Sequence, residues 1–375
     1  MQNKSTLRTL LALSIIPGLG VRRARQLVLT CEDITSIFKL TKKELQRFEG
    51  IGEASALSIL AFKDWDKVDS ILLETERDGA YIVSLTEPEY PALLKQIYDP
   101  PILLWVKGNV KALSRPGVGV IGTRNATTYG KKKAIGFTQE LSKAGLAIFS
   151  GLAYGIDALA HKTAVESNGI TVAVLGSGVD NIYPRKHATL AKDIIKSGGA
   201  VISEFPPGTN PDAGNFPVRN RIVSGMSLGV LVIESGIQGG SMITADLALD
   251  QNREVFAVPH QLDNASGTGC NYIIKRGTAK LVQTVDDILE ELPLDELAVR
   301  TNGIAIDKSN TRHWKSENLD ELGISICELL EEQEYQIDTL SDELNVHTSE
   351  LLVNLLNLEM KGLITQKAGK IFELK

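Results

Sequence analysis

Between residues 115 and 292 the chain alternates short, nearly unbroken apolar runs with longer stretches of mixed polarity. The runs fall at 118–122, 146–151, 171–176, 199–204, 228–234 and 254–259. Consecutive apolar positions suit strands buried on both faces. The stretches between most of them have the length of helices. Strands alternating with helices at this spacing predict right-handed crossovers, and so an α/β fold with a doubly wound parallel sheet.

The two ends read differently. Residues from about 5 to 62 have a helical pattern and contain two similar segments, Ile16-Pro17-Gly18-Leu19-Gly20 and Phe48-Glu49-Gly50-Ile51-Gly52. Each resembles the turn of a helix-hairpin-helix module, whose glycines bring backbone N–H groups close to a DNA phosphate. A packing turn between helices is the alternative, and Glu53 stands where a cation would help. Residues 76–114 read as a connector, because Tyr90-Pro91 and Asp99-Pro100-Pro101 favour extended chain. Residues 293–318 are polar and read as a linker. From 319 onward three helical stretches are predicted, the last over 349–361 with Thr348 as its N-cap and Gly362 as its stop, followed by a small hairpin. That is a winged-helix pattern. The predicted architecture is a Rossmann-like parallel sheet over 115–292, flanked by a helical domain over 1–75 and a winged helix over 319–375.

Charge sharpens this division. The 375 residues carry a net charge of −6, which by itself speaks against nucleic acid. Residues 319–375 hold 12 acidic and 4 basic side chains, so the remaining chain, with 36 basic and 34 acidic, is slightly positive. Affinity for phosphate follows local clusters of cations and not the chain total. The acidic module is therefore expected to have a separate task. The apolar run at residues 10–16 is too short to span a membrane, so no anchor is expected. Cys31, Cys270 and Cys327 are far apart, form no disulfide framework and fit a reducing cytoplasm.

In open α/β sheets ligands bind beyond the carboxyl ends of the strands. After the first strand comes Gly122-Thr123-Arg124-Asn125, where Arg124 and backbone donors at a helix start would hold phosphate. Lys131, Lys132 and Lys133 read as a solvated helix face. After the second strand, Gly151 and Gly155 would permit a ligand to approach the backbone. Asp157 reads as stabilising a helix terminus, and with His161 it makes too small a set for a metal. The loop after the third strand carries Arg185 and Lys186. Before the fifth strand lies Phe216-Pro217-Val218-Arg219-Asn220-Arg221. Phe216 amid cations offers a stacking platform for an unpaired base, with a core phenylalanine as the alternative. Arg219 and Arg221 do not share a helix face, so one of them is expected to point inward and serve structure. Gly239-Gly240-Ser241 opens a helix and could cradle the phosphate of a nucleotide or of a strand. No nucleophile–base pair, Walker A loop or metal cluster is evident, so neither catalysis nor a cofactor is expected.

At these loops the chain resembles the DNA-processing protein A family, also called DprA or Smf. The matching stretches are 119–130, 149–161, 176–184, 203–208, 216–227 and 234–250. The resemblance implies a Rossmann-like domain that binds single-stranded DNA in a basic pocket, forms homodimers and helps load RecA recombinase during natural transformation. It implies that Arg124 meets phosphate and Phe216 a base, and that Arg185 lies in a loop that often bears a DNA-contacting lysine. The full set expected at DNA is Arg124, Gly151, Gly155, Arg185, Lys186, Phe216, Arg219, Asn220, Arg221, Gly239, Gly240 and Ser241. Two positions depart from the family pattern. Thr123 replaces a common serine, and Ala213 stands where many relatives carry a lysine, a change that could weaken binding or for which Lys186 could compensate. The competing reading is a nucleotide phosphoribohydrolase of the lysine-decarboxylase-like type. The stretch 238–244 lacks the proline and glutamate usual in those enzymes.

Overall fold

A computed structural model describes residues 4–294, 314, 319–367 and 370–374. The chain divides into two compact units, with the boundary between Ala305 and Ile306.

The first unit opens with α1 (Lys4–Ile15), α2 (Gly20–Thr30), α3 (Lys42–Leu45), α4 (Glu53–Leu60) and α5 (Trp65–Arg77). The two glycine turns join α1 to α2 and α3 to α4, and Gly18, Gly20 and Gly50 take positive φ. Arg23 ties the turns together. Its Nε donates to Gly50 O at 3.0 Å and a terminal nitrogen donates to Gly18 O at 3.2 Å.

The chain then builds one sheet. Its elements are β1 (Tyr81–Ser84), α6 (Ala92–Lys95), β2 (Leu103–Gly108), β3 (Gly117–Gly122), α7 (Thr128–Lys143), β4 (Ala147–Ser150), α8 (Ile156–Glu166) and β5 (Thr171–Leu175). They continue with α9 (Ala188–Lys196), β6 (Ala200–Ser203), α10 (Asn215–Met226), β7 (Gly229–Glu234), α11 (Gly240–Asp250), β8 (Glu254–Ala257), α12 (Thr268–Lys275), β9 (Lys280–Leu281) and α13 (Asp286–Leu289). The strand order is β1-β2-β6-β5-β4-β3-β7-β8-β9. From β6 to β9 every pairing is parallel, and the six apolar runs supply the six strands from β3 to β8. β3 lies between β4 and β7, with Val118 opposite both Ile148 and Gly229. The chain leaves β3 in one direction and returns to its other side, which makes the carboxyl ends of β3 and β7 the switch point.

The parallel sheet expected over 115–292 is present, and two further strands extend it at one edge: β1 pairs antiparallel with β2, and β2 antiparallel with β6. The supposed connector over 76–114 therefore forms one edge of the sheet, where Leu103, Leu104, Trp105 and Val106 are all buried. Nor is residue 75 a break in the core. The buried side chains of α1, α2, α4 and α5 share one apolar cluster with those of β1, β2, α10 and α11. A buried hydrogen bond of 3.0 Å from the Trp105 indole to the Thr75 hydroxyl ties β2 to α5. A second apolar layer lies under α7 and α8.

The second unit holds α14 (Glu321–Glu332), β10 (Tyr335–Gln336), α15 (Ile337–Leu344), α16 (Thr348–Met360), β11 (Ile364–Lys367) and β12 (Ile371–Leu374). The strands form a small sheet of order β10-β12-β11, completing the winged helix. Trp314 belongs to its core with Ile326, Leu355 and Phe372. The cap of α16 is His347 and not Thr348, since the His347 side chain accepts the Ser349 N–H. Most of the linker expected over 293–318 lies outside the described residues.

Candidate nucleic-acid interface

The loop after β3 is fixed from the neighbouring strand. Thr127 caps α7 by accepting the Gly130 N–H. Its own N–H and hydroxyl donate to the Glu234 carboxylate at 2.8 and 2.7 Å, across 107 residues of sequence. Thr123 N–H donates to Glu234 O at 2.7 Å. Glu234 is fully buried at the end of β7, so its carboxylate is spent on the start of α7 and its main-chain oxygen on this loop. Arg124 is left exposed at the switch point, and none of the described carboxylates pairs with it.

Phe216 lies in the first turn of α10 and is half-buried, so it is not a core residue. The Tyr183 ring packs on it at 5.7 Å between centroids, tilted by 38°. The Arg124 guanidinium lies 5.8 Å from the Phe216 centroid, within range of a cation–π contact. Tyr183 is 44% exposed. An aromatic pair with a free guanidinium over one ring can stack a base and neutralise the adjacent phosphate. Sequence reasoning missed Tyr183. Its position beside Arg185 and Lys186 was the available signal.

Several expected site residues serve the protein itself. Both arginines of the pair in α10 are buried, not one. Arg219 donates to Val174 O at 2.9 Å, and its guanidinium fills the space over Gly151, where a Cβ would lie 1.5 Å from an arginine nitrogen. Arg221 pairs with Glu204 at 2.6 Å and Asp99 at 3.2 Å. The physical reason is enclosure: α10 packs on α6, α11 and the sheet, and every residue from 221 to 230 is buried. Gly151 thus makes room for an arginine and not for a ligand. Gly155, at φ 76°, packs on the backbone of the Arg124 loop, where a Cβ would lie 2.2 Å from Thr123 O. Asn220 is half-buried within the same helix as the arginines. Arg185 and Lys186 are exposed on the turn before α9. Gly239 and Ser241 fold back on Ser235, whose hydroxyl accepts from Ser241 Oγ at 2.7 Å, while Gly240 faces open space.

Two buried titratable groups lie beneath the site. Asp157 Oδ2 accepts the N–H groups of Gly151 and Ala153 at 3.1 and 3.4 Å, fixing the loop after β4. Burial pushes its carboxyl up, and the Arg219 charge opposes this. His161 lies 2.7 Å from the Thr171 hydroxyl, which itself donates to Ile148 O, so His161 Nδ1 carries the proton. Burial, with Arg219 nearby, lowers its pKa to about 3. His161 is therefore a neutral packing residue. No group of three or more potential metal ligands occurs among the described residues.

A family model described as DNA recombination-mediator protein A matches residues 81–293, and a second, described as the DprA winged helix domain, matches residues 315–370. The chain belongs to the DNA recombination-mediator protein A family. Among relatives in this family, Protein Smf of Escherichia coli is 35% identical over 90% of this chain and 85% of its own length. The DNA processing protein DprA of Bacillus subtilis is 40% identical over 64% of this chain and 81% of its own. The X-ray structure of DprA from Streptococcus pneumoniae superposes with a TM-score of 0.65 at 32% identity, covering 78% of this chain and 99% of that one. DprA from Helicobacter pylori, whose structure is described for its single-stranded DNA binding mode, gives 0.52 at 30% identity, covering 58% and 96%. Membership in this family fits the binding reading and not the phosphoribohydrolase alternative. No helix among the described residues is long and apolar enough to cross a membrane.

Proposed function

We propose that the chain binds single-stranded DNA at the switch point, stacking a base on Phe216 and Tyr183 and holding the adjacent phosphate with Arg124. The observation that carries this is the Arg124 guanidinium standing unpaired over the face of the half-exposed Phe216–Tyr183 pair. The single-strand binding described for the Helicobacter pylori relative supports it. In this reading the protein acts in the cytoplasm as a homodimer, catalyses no reaction, and passes its strand to RecA recombinase during recombination of incoming DNA. Oligonucleotides should bind more tightly than blunt duplex at matched salt, with affinity falling as salt rises. Adding the chain to strands coated with a single-strand-binding protein should hasten RecA assembly. Equal or tighter binding to duplex would sink the first claim, and unaltered RecA assembly the second.

The winged helix is assigned no part in strand binding. Its third helix, α16, presents Leu352, Val353, Leu356 and Met360 to solvent, with Glu350 and Glu359 on the same helix. On the wing, Lys367 is bridged by Glu334 and Glu373, both at 2.7 Å. A module carrying this excess of acid repels phosphate at low salt. Removing residues 319–375 should leave oligonucleotide affinity unchanged or slightly raised. A weakening of about tenfold, 1.4 kcal/mol, would refute the assignment.

A further inference from the structure

Beside the aromatic platform, the same edge of the sheet opens into a trough of about 910 Å³. Its floor is one face of α8, where Ala158, Leu159, Lys162 and Val165 recur at helical spacing. One wall is the Arg124 loop and the first turn of α7, and the other is the start of α9 with the turn before it. At 1.5 Å per residue, the part of α8 that lines it, from Ala158 to Glu166, gives the trough a length of about 12 Å.

Four cations line the trough, each from a different segment: Arg124 after β3, Lys131 on α7, Lys162 on α8 and Lys186 before α9. The nearest ionic partner of Lys162 is Glu166 at 3.6 Å, with both side chains more than 60% exposed, so that pair restrains the lysine little. Tyr154 also lines the trough, 43% exposed, with its ring set edge-on to His187 at 5.1 Å. Glu166, the last residue of α8, and Asp193 on α9 are the acidic side chains of the lining. Arg124 belongs to both places, since it stands over Phe216 and lines the trough. The trough thus begins where the platform ends.

We propose that this trough over α8 is a second segment of the strand path, in which Lys131, Lys162 and Lys186 neutralise phosphates and Tyr154 stacks a base. The proposal rests on the single-strand reading above. A trough open along its length, with cations arriving from several segments and an apolar floor, suits a row of nucleotides better than one compact anion. Glu166 and Asp193 mark where a phosphate backbone is turned away.

The test is anisotropy titration of the full chain with a ladder of oligothymidylates of increasing length, across salt. Oligonucleotides short enough to occupy only the platform should bind Lys131→Gln/Lys162→Gln as they bind the unsubstituted chain. Longer ones should bind it more weakly, with the salt slope lowered by about 1.4, or about 0.7 for each phosphate no longer neutralised. Tyr154→Ala should weaken long strands alone, by about five- to 150-fold, the worth of one stacked base. Equal weakening at every length, or none at any, removes the trough from the path. So would thymidine monophosphate binding that the lysine variant abolishes while its strand binding stays intact, which would make the trough a nucleotide site. Failure of the underlying reading looks different: Phe216→Ala would then leave short and long strands equally unaffected.

Discussion

Arg221→Ala should lower folding stability by about 3–5 kcal/mol, measured by urea denaturation. Arg221 and Glu204 are both buried, and the Arg221 Nη2 pairs with Glu204 at 2.6 Å while its Nε pairs with Asp99 at 3.2 Å. Burial already pushes the Glu204 carboxyl up, and the Arg221 charge is the main influence holding it down. Removing the arginine leaves a buried carboxyl without compensation. Replacing both partners, Arg221→Leu with Glu204→Leu, should recover much of the stability, because a buried ion pair stabilises little over apolar side chains of similar size. Arg221→Ala that is still folded should bind oligonucleotides normally. A stability change no larger than that of a surface substitution, about 0.5 kcal/mol, would show that the network carries no such energy.

Phe216→Ala and Arg124→Ala should both weaken strand binding, but with different signatures. Phe216→Ala removes a stacking face and should cost about 1–3 kcal/mol of affinity with the salt slope nearly unchanged. Arg124→Ala removes a cation from a phosphate, so binding should weaken for all sequences and the slope should fall by about 0.7. Phe216 is half-buried against Tyr183, so its truncation should destabilise the fold by less than the roughly 3–5 kcal/mol of a fully buried phenylalanine. A thermal melt comes first. A variant that melts far lower yet binds normally when folded would return Phe216 to the core. Equal slope changes in the two variants would dissolve the distinction between stacking platform and phosphate clamp.

Much of this arrangement is legible along the chain. The unbroken apolar runs report burial on both faces, and the structure builds β3 to β8 from them. The loop carrying Arg124 and the segment carrying Phe216 stand out because strand ends at a switch point are where such residues meet ligands. The edge formed by β1 and β2 was also within reach. Residues 102–106, Ile102-Leu103-Leu104-Trp105-Val106, are as continuous an apolar run as any of the six, but the preceding Pro100-Pro101 suggested a connector. Two-residue β9 left no periodic signal to read.

The direction of a charged side chain is another matter. Helical spacing separated Arg219 from Arg221 correctly, yet the inference that one of them meets solvent assumed a helix with a wet face. α10 has none over the arginines, because α6, α11 and the sheet enclose it. The glycines misled for a related reason. Gly151 and Gly155 do admit close approach, but what approaches is an arginine and a neighbouring loop. Burial and charge are written residue by residue, so the order of amino acids alone is enough to place strands β3 to β8, the loops that crown them and the module that carries the acid. Which cations remain free, that Tyr183 stands on Phe216, and that α7, α8 and α9 leave a trough between them emerge only once the chain has folded. Those outcomes depend on groups brought together across the fold, as Glu234 meets Thr127 over 107 residues, and no local pattern records such a meeting.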